Sequence, residues 1–131
     1  MVISTLVAIF IVFLINQSLK HTTFGEATSE MLDGEPVHKL MMSDTKGEKV
    51  FDLTDTEVIK SLLEDHSSIA LEKSDGVGVE LIYNLSVYTE EYDIYGIKVS
   101  QNTILIGGNY YSVNGENGFY QTVDDIYKQQ N

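Results

Sequence analysis

The chain reads as an α+β domain: an antiparallel sheet of five to seven strands, one amphipathic helix from about Asp55 to Asp65 on one face, a short C-terminal helix, and an apolar helix at the N-terminus. Three observations predict this. A capping signature near residue 54 opens an apolar stripe at helical spacing, strand-like runs separated by turn residues follow it, and an uncharged segment stands before an otherwise acidic chain.

The N-terminal segment comes first. Residues 1–15 carry no charge, and Leu6 to Ile15 run LVAIFIVFLI without a polar interruption. A helix rises about 1.5 Å per residue and a bilayer core is roughly 30 Å thick, so spanning needs about twenty residues. Residues 1–19 reach that length only by taking in Asn16, Gln17 and Ser18. The apolar run itself has the length of a secretory core region, although no basic residue precedes it and the cleavage pattern at Gly25-Glu26-Ala27 lies well downstream. A cleaved signal, an uncleaved anchor and an anchor whose start is assigned too far downstream all place residues 36–131 outside the cytoplasm. Lys20, as the nearest basic residue, argues for the opposite orientation. The remaining alternative packs Phe10, Phe13 and Leu14 into the domain's own core.

His21 to Glu35 is rich in Thr, Ser, Gly and Glu and reads as a flexible linker over residues 20–35. Pro36 opens the folded part. Val37 to Ser43 and Glu48 to Leu53 form a hairpin around Asp44-Thr45-Lys46-Gly47, whose glycine supplies the positive φ of the loop. In Leu53-Thr54-Asp55-Thr56-Glu57-Val58, Thr54 and Glu57 make a capping box and Leu53 and Val58 a hydrophobic staple. Val58, Ile59, Leu62 and Leu63 then supply one apolar stripe. Strands are expected at Ile69 to Lys73, Val79 to Tyr88, Tyr92 to Ser100, Thr103 to Ile106 and Tyr110 to Val113. The short loops between the later ones make a meander of antiparallel neighbours. After the irregular stretch Asn114 to Gly118, Thr122-Val123-Asp124-Asp125 repeats a capping pattern before a short closing helix.

The stretches LTDTEVIKSLL, TILIGGNYYSV and GFYQTVDDIY, in this order, resemble a small exported domain of unknown function from Gram-positive bacteria, over about Val37 to Gln129. The pair Tyr110-Tyr111 followed by Gly118-Phe119-Tyr120 is the distinctive part. The resemblance implies a hairpin and one helix ahead of several antiparallel strands, and it implies no activity. Bacteriocin-immunity proteins share the anchored, acidic, extracytoplasmic character, but many are lipoproteins, and this chain has no cysteine to lipidate.

Composition excludes several function classes. Twenty acidic residues against eight lysines give a net charge of -12, which repels nucleic-acid backbones and anionic lipid head-groups. The absence of cysteine removes disulfides, thiol nucleophiles and thiolate metal sites. His66 stands between Glu64-Asp65 and Ser67-Ser68, yet consecutive residues at a helix end diverge, and a dipole-favoured C-terminal histidine explains it. His21 and His38 add no metal-ligand spacing. Glu90, Glu91 and Asp93 read as a solvated turn rather than a calcium cage. Gly76-Val77-Gly78 and Gly107-Gly108 lack the context of a phosphate loop, and Asn84-Leu85-Ser86 lies in a strand, a poor glycosylation site. No catalytic residue, metal or cofactor is expected.

Tyrosine is the residue type in excess, with eight copies and no tryptophan. Tyr88, Tyr92, Tyr95, Tyr110, Tyr111 and Tyr120 fall in or beside the strand-rich half and are the partner-binding candidates, since a phenol gives contact area at low entropic cost. The function expected is a non-catalytic binding or shielding module, membrane-anchored or secreted at the bacterial cell envelope, with a protein or envelope component as partner. An accessory enzyme, or a modulator or inhibitor of a cell-envelope enzyme, is the alternative. It requires a concave pocket in which histidine and carboxylate groups converge.

Overall fold

The computed structural model describes residues 21–130, so every reading of the apolar N-terminal segment lies outside the described residues. The elements are β1 (His21–Thr23), α1 (Phe24–Leu32), β2 (Val37–Asp44), β3 (Val50–Leu53), α2 (Thr56–Glu64), β4 (Ala70–Ser74), β5 (Tyr83–Thr89), β6 (Ile94–Val99), β7 (Thr103–Ile106), β8 (Asn109–Val113) and α3 (Gly118–Gln129). The strands form one eight-stranded sheet in the order β1-β4-β8-β7-β6-β5-β2-β3. Every neighbouring pair is antiparallel. The α+β class, the hairpin β2–β3 and the meander β5 to β8 are as the sequence predicts.

Period two decides which face is buried. Tyr83, Leu85 and Val87 on β5 oppose Val99, Ile97 and Tyr95 on β6, and this face continues through Leu40 and Met42 on β2, Ile104 and Ile106 on β7, and Tyr111 and Val113 on β8. All of these but Tyr95 are buried. The helices cover this face: α1 packs on β7, α2 on β2, and Tyr127 of α3 stacks on Tyr83 with ring centroids 5.0 Å apart. Phe24 of α1 and Phe119 of α3, both fully buried, meet with centroids 4.5 Å apart and tie the layer together.

The linker expectation is corrected. Residues 21–32 are a strand and a helix: β1 pairs with β4, and α1 buries Phe24, Ala27 and Thr28. Thr23 Oγ1 accepts the Glu26 amide at 3.2 Å, so Thr23 and Glu26 stand at the two positions of a capping box, and Phe24, Ala27, Met31 and Leu32 recur at helical spacing. β1 is also the strand beyond the seven anticipated. Asp33, with φ 48°, ends α1 in the left-handed region.

Three further boundaries shift. The cap of α2 is Asp55 rather than Thr54, because its carboxylate reaches the amides of both Glu57 and Val58, at 2.9 Å and 3.4 Å. α3 starts at Gly118, four residues before Thr122, capped by buried Asn117, whose Oδ1 accepts from the Tyr120 amide at 3.0 Å. Residues 79–82, expected to be strand, are not. β4 and β5 run in the same direction with β8, β7 and β6 between them, and the register puts Ser74 and Asn84 in one row, so the chain must cross those three strands sideways. Four strand spacings amount to about 19 Å, which the eight residues from 75 to 82 cover with room for a turn in which the Val79 amide donates to the Gly76 carbonyl at 3.3 Å. This strap runs over the helix-free face. A Cβ at Gly76 would lie 2.6 Å from the ring of Tyr110, which points away from the helices, and Ile82 donates to the Val99 carbonyl at 3.0 Å as the strap joins β5.

Candidate interaction surface

Three helices on one face leave the other to the strap and the solvent. Beyond the strap, at the end of the sheet where β5 turns into β6, one row of the free face reads Lys39, Tyr88 and Ile94 across β2, β5 and β6. The next row holds Met41, Ser86 and Gly96. Lys39 Nζ stands 4.7 Å above the Tyr88 ring and 3.7 Å from Asp52, so one face of that phenol is occupied by a cation with its own counter-ion. Ile94 is 60% exposed.

Tyr92 is the unusual residue of this surface. It is 95% exposed and has φ 69°, a backbone region that disfavours bulky side chains. The turn is held by three bonds to Thr89: its amide donates to the Asp93 carbonyl at 2.9 Å, its carbonyl accepts from the Tyr92 amide at 3.2 Å, and its hydroxyl accepts from the Asp93 amide at 3.1 Å. A turn of this shape takes glycine at the left-handed position. Here a phenol stands there, directed outward beside a shallow concavity of about 510 Å³ bordered by His38, Lys39, Tyr88, Glu90 and Ile94.

Of the six candidate tyrosines, this surface brings together only Tyr88 and Tyr92. Tyr110 shares the free face but lies on β8, with the strap against its ring. Tyr95 and Tyr111 point to the helix side, Tyr111 being 8% exposed, and Tyr120 packs on Tyr83 with centroids 6.0 Å apart. The six candidates therefore do not share one surface, because neighbours such as Tyr110 and Tyr111 take opposite faces of a strand.

The carboxylates also regroup. Glu35, Glu91 and Asp93 place one oxygen each within 4.8 Å of one another, while Glu90 turns to the concavity. The Tyr95 hydroxyl donates to Glu35, and so does Thr89 at 3.2 Å. Bonds from Asp93 and then Tyr95 hold Glu35 below the ordinary carboxylate value. Asp93, bonded to Glu35 and repelled by its charge, is pushed up. The bond to Glu35 and burial together raise the Tyr95 phenol to about 12. This turn joins two interior strands, so its charges guard no sheet edge.

A second groove of about 480 Å³ runs between α1 and α2 over Leu32, Val37, Ile59 and Leu63, with Lys60 and Glu64 on its rim. Gly25 closes one end, where its amide donates to the Ser67 carbonyl at 3.0 Å and a Cβ would meet Ser67 Cβ at 2.8 Å. His66 turns from Glu64 to the edge of Phe119, with centroids 6.0 Å apart, and burial there lowers its pKa against the opposing charge of Asp65. Ser67 Oγ donates to the Glu64 carbonyl. The Ser67 hydroxyl is thus bonded to the Glu64 backbone while His66 packs on Phe119, and the three side chains form no relay.

Sequence reasoning missed Ile94 and His38 as members of this surface. The signal was there: Ile94 falls on the polar phase of β6, opposite to Tyr95 and Ile97. Comparison with protein-family models, curated proteins and solved structures gives no significant match to this chain.

Proposed function

We propose that this protein is a non-catalytic binding module held at the bacterial cell envelope, engaging a protein or envelope component through the free face of its sheet. The observation that carries the reading is Tyr92, a phenol kept almost wholly in solvent on a strained, tightly bonded turn beside Tyr88 and Ile94. Local strain that a smaller residue would relieve is the mark of a position shaped by function. An aromatic side chain carried on a fixed turn gives contact area with only its own two torsions to order.

The envelope part rests on the apolar run Leu6 to Ile15 ahead of an acidic, cysteine-free domain, and on the resemblance to exported domains of Gram-positive bacteria. Among the described residues no helix is long and apolar enough to cross a membrane. Fusing the full chain to a C-terminal reporter that is active only outside the cytoplasm tests this. Activity supports the assignment, and silence at normal expression removes it.

A further inference from the structure

We infer that the occupant of the Tyr92 surface is a cationic peptide segment, with a lysine or arginine stacked on the Tyr92 ring and its flanking aliphatic groups laid on Ile94 and the open side of Tyr88. This deepens the binding-module reading and rests on it. The argument has three parts.

The ring comes first. Tyr92 offers both faces to solvent, whereas Tyr88 already carries Lys39 at 4.7 Å, so an incoming cation finds its stacking position on Tyr92. Next comes preorganisation. The Thr89 bonds fix the turn on either side of residue 92, and the Thr89 hydroxyl continues into Glu35, so the backbone that carries the ring is set before any partner arrives.

Charge then selects the occupant. Glu90 borders the concavity and Glu35, Glu91 and Asp93 gather beside Tyr95 at the same turn, and among the described residues the ion pairs are Lys39–Asp52 and Lys128–Asp124, neither of which neutralises any of the four. The whole chain at -12 adds long-range attraction for a cation and repels an acidic partner. Ile94, 60% exposed beside this charge, suits the aliphatic stem of a lysine or a neighbouring apolar residue better than a bare metal ion.

The test uses the ¹⁵N-labelled full chain in a zwitterionic detergent and two octapeptides, one alternating lysine with alanine and the other glutamine with alanine. The lysine peptide should shift the amides of Glu91, Tyr92 and Ile94, with an affinity that falls as salt rises. Y92G keeps the turn, because glycine accepts its φ, and should weaken binding at least tenfold without lowering Tm. The double change Glu91→Gln, Asp93→Asn should weaken it similarly. Equal affinity of Y92G and the natural chain, or shifts confined to another part of the sheet, would overturn the inference. Shifts at the same amides from the glutamine peptide alone would leave the docking surface standing and remove its preference for cations.

Discussion

At the scale of single residues, the two most informative positions are Tyr92 and Asn117, and they carry opposite predictions. Relieving a left-handed β-carbon gains roughly 1–2 kcal/mol, while the extra freedom of glycine in the unfolded chain costs roughly 0.5–1 kcal/mol. Tyr92→Gly is therefore expected to leave stability unchanged or to raise it by up to about 1.5 kcal/mol in urea unfolding, at the expense of binding. Asn117, 3% exposed, caps α3 through Oδ1 and donates through Nδ2 to the carbonyls of Ser100 and Gln101, both at 3.2 Å. Asn117→Ala loses the cap and orphans two acceptors beside the β6–β7 turn. A loss of about 2–3 kcal/mol is expected in the same assay.

Among the elements, α1 shows why part of the fold was legible and part was not. The hairpin, α2 and the meander announce themselves through local patterns: two-residue alternation, a cap followed by an apolar stripe, and glycine-bearing turns. α1 carries a cap and helical spacing too, but only four apolar positions, and its value lies in a distant partner, Phe119. No local window holds that contact. Phe24→Ala should cost about 3–5 kcal/mol, as a fully buried aromatic does, whereas a linker residue would cost nothing measurable in a thermal melt. The strap was misread for a related reason. Val79 and Leu81 continue the alternation of β5, and only the position of β4 beyond β8 requires the chain to leave the sheet there. Gly76 is its fixed point, with φ 73° and the Tyr110 ring 2.6 Å from any Cβ, so Gly76→Ala is expected to destabilise by about 1–3 kcal/mol through strain and displacement of the strap. The candidate surface was only half legible because pairing across β2, β5 and β6, not sequence proximity, selects Tyr88 and Ile94 and discards Tyr95.

For the whole molecule, acid should weaken the fold in two stages. Burial holds His66 below its ordinary 6.5, with Asp65 opposing, so the folded state favours the neutral ring. The unfolded chain then takes up the proton first, and stability declines as pH falls below about 6.5 until the folded ring titrates. Burial raises Asp124, but bonds from Lys128 and Tyr83 outweigh it and hold the carboxyl below its ordinary 3.8. That contribution is complete above about 3.8 and is lost as pH falls through the lower folded value. The urea midpoint should fall between pH 7 and pH 5, and His66→Gln should flatten that decline while leaving the step below pH 4 in place.

The central proposal is that the part of the sheet's helix-free face beyond the strap looks outward from the far side of the membrane. The chain has no cysteine, so a single one placed at Ile94 is an unambiguous probe. We predict that a membrane-impermeant maleimide applied to intact cells labels Ile94→Cys, while a cysteine at fully buried Ile97 stays unlabelled until the chain is unfolded. Labelling of Ile94→Cys only after lysis would contradict the location, and failure to label it in the lysed, folded protein would contradict the open face.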